Sequence, residues 1–331
     1  MEIIKIGRKQ LTVPSFFPDA TRGFIKSIDN EAVLKTDTSA MVVNTFHLYL
    51  RPGLKIIKKA GGIHRFINWP GILLSDSGGF QIFSLIHRSP KMGKITDEGA
   101  HFKSPLDGSR HFISPEKSIQ IQFDLGTDMM VVLDDCPPND FGREAIEKSI
   151  TRTVKWARRS KEEYLRQIKK RKISSSKRPK ILAVIQGGIF VDLRQKCAME
   201  LIAIGFDGYG FGARPVDENG KFLSKVLFET AKIIPEGKIK FALGIGTPKD
   251  IIKCYKMGWQ LFDCVIPTRE GRHGKLMVFK DKKGLAYKVI KINNSRFAKD
   301  FSLLQPGVSL AYLHHLFKSD DPFHGNAIFT K

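Results

Sequence analysis

Short apolar, β-branched runs recur along the chain, and each stops on a residue that a hydrophobic core would not select. MVVN, ILLSD, MMVVLD, LAVIQ, FDGYGFG and FALGIG end at Asn44, Asp76, Asp134, Gln186, Gly212 and Gly246, while LFDCV carries Asp263 within it. Between these runs, apolar residues at three- and four-residue spacing predict helices over 114–123, 144–171, 193–204, 222–233 and 248–256. Strand and helix alternate from the N-terminal strand onward, which predicts α/β architecture with a parallel sheet. At least seven such units plus that first strand fit a (β/α)8 TIM barrel, with the polar strand ends gathered at the mouth where barrel enzymes react. A doubly wound sheet would instead call for a G-x-G-x-x-G loop after its first strand, and none is present.

Length agrees with one barrel. All 331 residues are expected to form a single domain, with 269–331 as a basic subdomain packed on it. Charge changes the picture more: 55 Lys and Arg against 33 Asp and Glu give a net +22, an excess that points to a polyanionic partner. Segment 154–180 holds twelve Lys or Arg and 269–299 holds ten, each against two acids. The first reads as a solvated helix face and linker as readily as a binding surface, whereas the second follows the Asp263 strand and lies where phosphates would meet the mouth. Four cysteines without C-x-x-C spacing, and an opening MEIIKIGRKQ without an apolar signal region, lead to the expectation of a reducing cytoplasm. No apolar run is long enough to span a membrane, and no basic amphipathic terminal helix favours a lipid surface.

Asp76 and Asp263 are the first candidates for chemistry. A glycosidic bond is broken when one carboxylate attacks the anomeric carbon and a second group handles the proton of the leaving group. Taken alone, Asp76 reads more simply as an Asx-turn before Gly78 and Gly79. Asp263 is harder to set aside, because an unpaired charge inside an apolar strand is costly unless it faces a cavity. A purine-like pocket is the second constellation. Asp134 can accept a pair of hydrogen bonds from an amidine-like base edge, Gln186 can both donate and accept, and Phe80 can stack on a base face. Gly78, Gly79, Gly187 and Gly188 would let backbone approach the base closely. Gln186 as a buried amide and Phe80 as core are the plain alternatives.

With these residues in hand, the chain resembles the tRNA-guanine transglycosylases, also called queuine tRNA-ribosyltransferases. NTFHLYLRPG at 44–53, SDSGGFQIFSL at 75–85, DGSRHFISPEKSIQIQ at 107–122, LDDCPP, VIQGG, FDGYGFG, LGIGTPKD at 243–250, LFDCVIPTREGR and AYLHHLF at 311–317 carry the resemblance over nearly the whole chain. DSGGFQ and FDCVIPTR together are its most specific part. The resemblance implies that Asp263 is the nucleophile that displaces guanine from the wobble nucleotide of a tRNA. Asp76 is then the general acid/base, and a 7-deazaguanine of the queuosine pathway enters in place of guanine. It further implies that Ser77, Gly78, Gly79, Phe80, Asp134, Gln186, Gly212 and Ala213 grip the base, with Asn44, Cys136, Leu243 and Gly244 lining the pocket. Gly244, Ile245, Gly246, Thr247, Pro248, Lys249 and Asp250, with Thr268, Arg269, Glu270, Gly271 and Arg272, would hold the anticodon arm.

The sequence departs from that pattern in two places. Relatives usually bind zinc near the C-terminus through C-x-C-x-x-C and a later histidine, but no cysteine follows Cys264 here. His314, His315 and His324, even with Asp320 or Asp321, make at best a weak structural site, so no zinc and no other cofactor is expected. Packing of Phe297, Phe301, Tyr312, Leu313, Leu316 and Phe317 against the barrel is expected to hold this region instead, and a homodimer built on the zinc subdomain is placed in doubt. The second departure is Gly212-Ala213-Arg214-Pro215-Val216-Asp217-Glu218, where Pro215 has no N–H to offer a base. Alternatives from other classes are a catalytically silent RNA-binding subunit, disfavoured by retention of Asp76 and Asp263, and a relative that exchanges bases in DNA.

Overall fold

The computed structural model describes residues 2–138, 141–280 and 286–319. Eight parallel strands make its central sheet: β1 (Ser15–Pro18), β2 (Ala40–Asn44), β3 (Ile72–Asp76), β4 (Met129–Val131), β5 (Lys180–Ile185), β6 (Gly208–Phe211), β7 (Ile239–Leu243) and β8 (Leu261–Cys264). Their spatial order is β1-β8-β7-β6-β5-β4-β3-β2. The two edges meet through a parallel bridge between Asp19 and Val42, with the Ala20 N–H on the Val42 carbonyl at 2.7 Å. The sheet thus curls into the (β/α)8 barrel read from the alternation.

Side-chain alternation explains how such short strands fill both faces. Phe17, Val42, Leu74, Val131, Val184, Phe241 and Leu261 point inward and form one buried cluster. Their neighbours Met41, Leu73, Ala183, Phe211 and Phe262 face the helices outside. An antiparallel hairpin, Glu2–Ile6 with Lys9–Val13, closes the bottom by inserting Ile6, Leu11 and Val13 into the inner cluster.

Helices follow the strands: α1 (Thr45–Leu50), α2 (Gly79–Arg88), α3 (Pro115–Leu125), α4 (Arg143–Lys170), α5 (Val191–Ile204), α6 (Ser224–Ile233), α7 (Pro248–Tyr255) and α8 (Ile266–Arg272). The expected helices are present with ends shifted by two residues or fewer. Ser114 caps α3 and Thr247 caps α7, each accepting a backbone N–H, and each is followed by a proline that needs no partner.

Strand ends differ more from expectation. Ladders stop at Val131, Ile185, Phe211 and Leu243, so Asp134, Gln186, Gly212 and Gly246 lie just beyond them. At β7 the cause is local, since Gly244 takes φ +78° and turns the backbone out of the extended region. Much of the basic charge on α4 and its C-terminal cap is neutralised by neighbouring acids: Arg159 pairs with Glu116, Arg166 with Glu163 and the cap residue Arg171 with Asp124.

Beyond α8 a hairpin, Lys275–Phe279 with Tyr287–Lys291, leads to α9 (Leu310–Lys318). These elements have their own small core of Leu276, Ile290, Ile292, Phe297 and Leu313, flanked by Leu316 and Phe317. Phe301 and Tyr312 do not contribute as expected, being 77% and 52% exposed. Tyr312 lies in the first turn of α9, just past the Ser309 cap, and faces solvent while Ala311, Leu313 and His314 take the buried side of the helix. The acidic pair Asp320 and Asp321, together with His324, lies outside the described residues.

Candidate active site

One inward layer above the apolar interior, the period-two positions turn polar or small, with Leu243 as the apolar exception. Asp19, Asn44, Asp76, Gln186, Gly212, Leu243 and Asp263 each stand two residues beyond an inward-facing position, and together they line the mouth.

Asp76 closes β3. It accepts hydrogen bonds from Asn44 Nδ2 at 2.6 Å, the Thr45 N–H at 3.0 Å and the Gly78 N–H at 3.1 Å. The last is the Asx-turn expected from the sequence, and it coexists with the other contacts. Gly78 has φ +75°, and a Cβ there would lie 2.9 Å from the Phe46 nitrogen, so glycine is required for the chain to turn into α2. Three donors favour the carboxylate, yet burial outweighs them. Together with the charges of Asp19 and Asp263, it pushes the Asp76 pKa up to about 8.

Asp263 is more sparsely held. Its Oδ1 accepts the Gly244 N–H at 3.1 Å, and burial, reinforced by Asp19, raises its pKa to about 7. A carboxylate with one donor at the mouth of an apolar barrel retains lone pairs for an electrophile.

Asp134 and Gln186 form the second constellation. Gln186 Nε2 donates to Asp134 Oδ2 at 2.6 Å, and the Ser77 hydroxyl also bonds to this carboxyl. Burial dominates again and raises Asp134 to about 7. Gln186 is the buried amide of the plain reading and also the partner of Asp134, so the two descriptions are compatible. Phe80 is 56% exposed at the start of α2, which removes the core alternative and leaves a ring face available for stacking. Cys136 adjoins Gln186 and Ala213, and its thiol is pushed up to about 12 by burial, so it stays neutral. Ala213 occupies the left-handed region at φ +74°.

A group that sequence reasoning passed over holds this pocket together. Arg194 on α5 is fully buried and donates to the carbonyls of Gly188, Ile185 and Gly212 at 2.8, 3.0 and 2.9 Å. It ties the loops after β5 and β6, which carry Gln186 and Gly212. Gly212 itself admits no side chain, since a Cβ would fall 2.6 Å from Gln186 Nε2. A second missed residue is Asp19, whose Oδ1 accepts the Thr21 hydroxyl at 2.5 Å. A sequence signal for it exists, for SFFPD is one more apolar run that ends on an acid.

The stretch expected to meet RNA divides by exposure. Gly244, Lys249 and Arg269 are exposed, and Arg272 is half-buried near Asp19. Ile245, Gly246, Thr268 and Gly271 are buried and shape the loops from within. Thr247 and Asp250 are committed to capping α7, Pro248 fills its first turn, and Glu270 pairs with Lys275 at 2.7 Å.

No group of three or more His, Cys, Asp or Glu residues among the described residues is arranged to hold a metal ion. Cys197 and Cys254 are packed in the outer core, and His314 uses Nδ1 on the Ile292 carbonyl at 2.7 Å. The side chains present do not fit the thiolate zinc site of the resembling family. No helix among the described residues is long and apolar enough to cross a membrane.

Comparison with known proteins agrees with the geometry. Residues 2–326 match the family described as queuine tRNA-ribosyltransferase. The protein of that name from Halothermothrix orenii is 37% identical over 95% of this chain and 81% of its own length. Those from Aliivibrio salmonicida and Thermodesulfovibrio yellowstonii are 38% and 40% identical, again over 95% of the chain and 80% and 79% of theirs. With that coverage, and with the barrel and its acidic mouth in place, the chain is a pentosyltransferase and belongs to the queuine tRNA-ribosyltransferase family.

Proposed function

We propose that this enzyme exchanges guanine for a 7-deazaguanine at the wobble nucleotide of a tRNA through a covalent ribosyl intermediate on Asp263. The observation that supports it best is a pair of desolvated carboxylates, Asp76 and Asp263, near enough for one to raise the other's pKa and set beside the Asp134–Gln186 pair.

An ionised Asp263 oxygen attacks the anomeric carbon as the bond to guanine breaks, and the bonding electrons leave with the base. Asp76 gives its proton to the departing guanine. The incoming base then loses a ring-nitrogen proton to Asp76, and that nitrogen attacks the same carbon and expels Asp263. Two displacements retain configuration and restore both carboxyl groups, so no nucleoside triphosphate is consumed. Asp134 and Gln186 hold the base edge while Phe80 stacks on its face. Lys249, Arg269 and Arg272 supply charge for the anticodon-arm phosphates.

Labelled guanine incubated with bulk tRNA, and separately with duplex and single-stranded DNA, tests the reading. Label is expected in tRNA alone. On denaturing gels with a slowly released base analogue, wild-type enzyme should carry a covalent RNA band that Asp263→Asn lacks. A persisting band in that variant would place the nucleophile elsewhere, and label entering DNA would change the substrate class.

A further inference from the structure

Around the barrel wall the neighbouring strands β8, β1, β2 and β3 carry Asp263, Asp19, Asn44 and Asp76 in that order. Asp19 is two residues beyond Phe17, the ladder partner of Asp263, and is level with Val42, two residues before Asn44. Alternation therefore turns its side chain to the interior, between the two carboxylates assigned to the chemistry. We propose that Asp19 is a third acidic member of the reaction centre, a positioning residue whose carboxylate sets the pH window in which Asp263 is ionised while Asp76 keeps its proton. This rests on the base-exchange reading above.

The need for such a residue follows from the hydrogen bonds. Asp76 has three donors and Asp263 has one, an arrangement that by itself favours ionisation of Asp76 over Asp263. Base exchange requires the reverse, with a neutral acid at Asp76 and an anion at Asp263. A negative charge in the wall beside them opposes ionisation of both carboxyls, which keeps the proton on Asp76 and moves ionisation of Asp263 to higher pH as well. Asp19 acts on both residues, and on Asp76 its charge outweighs that of Asp263.

The charged surroundings of Asp19 come from its own segment and four others, one of them β3 with Asp76. Thr21 bonds to it from its own segment, where Arg22 faces His47. His47 approaches from α1, Arg272 from α8 with Arg269 beside it, and Asp263 and Cys264 from β8. Arg272 and His47 temper the cluster, so RNA phosphates that engage Arg272 would also alter the proton balance below it. The three carboxyls consequently titrate as one coupled set.

Asp19→Asn keeps the shape of the side chain and an acceptor for Thr21 while removing the charge. The acid limb of the exchange profile reports ionisation of Asp263 and the alkaline limb reports loss of the proton from Asp76. Both limbs should move to lower pH, by about one unit or less. Asp19→Glu, which restores charge, should return them toward the wild-type position. Carboxyl ¹³C titration of the substrate-free protein reads the same shifts without any turnover, so it separates this proposal from the base-exchange reading. Downward movement of the Asp76 and Asp263 titrations in Asp19→Asn supports the role even if tRNA is not the substrate. Unmoved titrations in a folded Asp19→Asn, or a uniformly slower enzyme with an unchanged profile, overturn it.

Discussion

A single amide both starts α1 and orients the carboxyl at the end of β3: Asn44 Nδ2 donates to Asp76 Oδ2 at 2.6 Å while Asn44 Oδ1 accepts the His47 N–H at 3.0 Å. Removing it has two separable effects. Asn44→Ala should cost about 1 kcal/mol of stability through loss of the helix cap. It also deprives ionised Asp76 of a donor, so the alkaline limb of exchange should move to higher pH, opposite to the shift expected for Asp19→Asn. A melting curve and a pH–rate profile check both, and a limb that stays put would mean the amide serves the helix alone.

In the proposed function Asp134 reads the base and not the phosphates. Asp134→Ala should therefore weaken base exchange by about 2–4 kcal/mol while leaving tRNA affinity nearly intact. Equal loss of tRNA binding in a filter assay contradicts the assigned role.

The same residue makes a prediction about stability. Its folded pKa of about 7 lies above the ordinary value of 3.8, so the folded state binds the proton more tightly than the unfolded chain. That stabilisation is complete below the unfolded pKa and is lost as pH rises through the folded one. Asp134→Asn never ionises, so its stability relative to wild type should increase from about pH 4 to about pH 8. Urea melts across that range check this, and a difference that is flat or falls with pH refutes the burial argument.

Arg194 makes three hydrogen bonds to buried carbonyls, with its guanidinium 3.9 Å from the centre of the Phe211 ring. Burial pulls its pKa down to about 9, still well above neutrality, so it remains charged. Arg194→Met leaves those carbonyls without donors and should destabilise the protein by about 3 kcal/mol or more. In the folded fraction, base exchange should fall more than tRNA binding, because the loops that carry Gln186 and Gly212 lose their tie. A variant as stable as wild type would show that water replaces the guanidinium.

Zinc is expected to separate this chain from the pattern it resembles. A structural zinc contributes folding free energy directly, and a chain that depended on it would unfold under chelation. Substoichiometric metal by elemental analysis and an unchanged melting temperature in strong chelator are expected. One zinc per chain, with destabilisation on its removal, would mean that the remaining histidines and the acids Asp320 and Asp321 make a site after all.

The sequence by itself determined the alternation of strands and helices, because two periods, two and 3.6, are written locally in the apolar residues. It also marked Asp76, Asp263, Asp134 and Gln186, since a polar residue that interrupts or ends an apolar run is conspicuous without any partner. Tertiary structure decided what those residues face. β8 lies against β1 although Asp263 and Phe17 are far apart in the chain, and only barrel closure sets Asp19 between Asp263 and Asp76. Arg194 shares a helix face with Cys197, Ala198 and Leu201, but only the loops folded over it supply its three carbonyls. Phe80 is ambiguous in the sequence for the same reason, as exposure belongs to the assembled surface. Local pattern specifies which face a residue takes; proton affinity depends on the desolvation and the charges that distant segments bring to it.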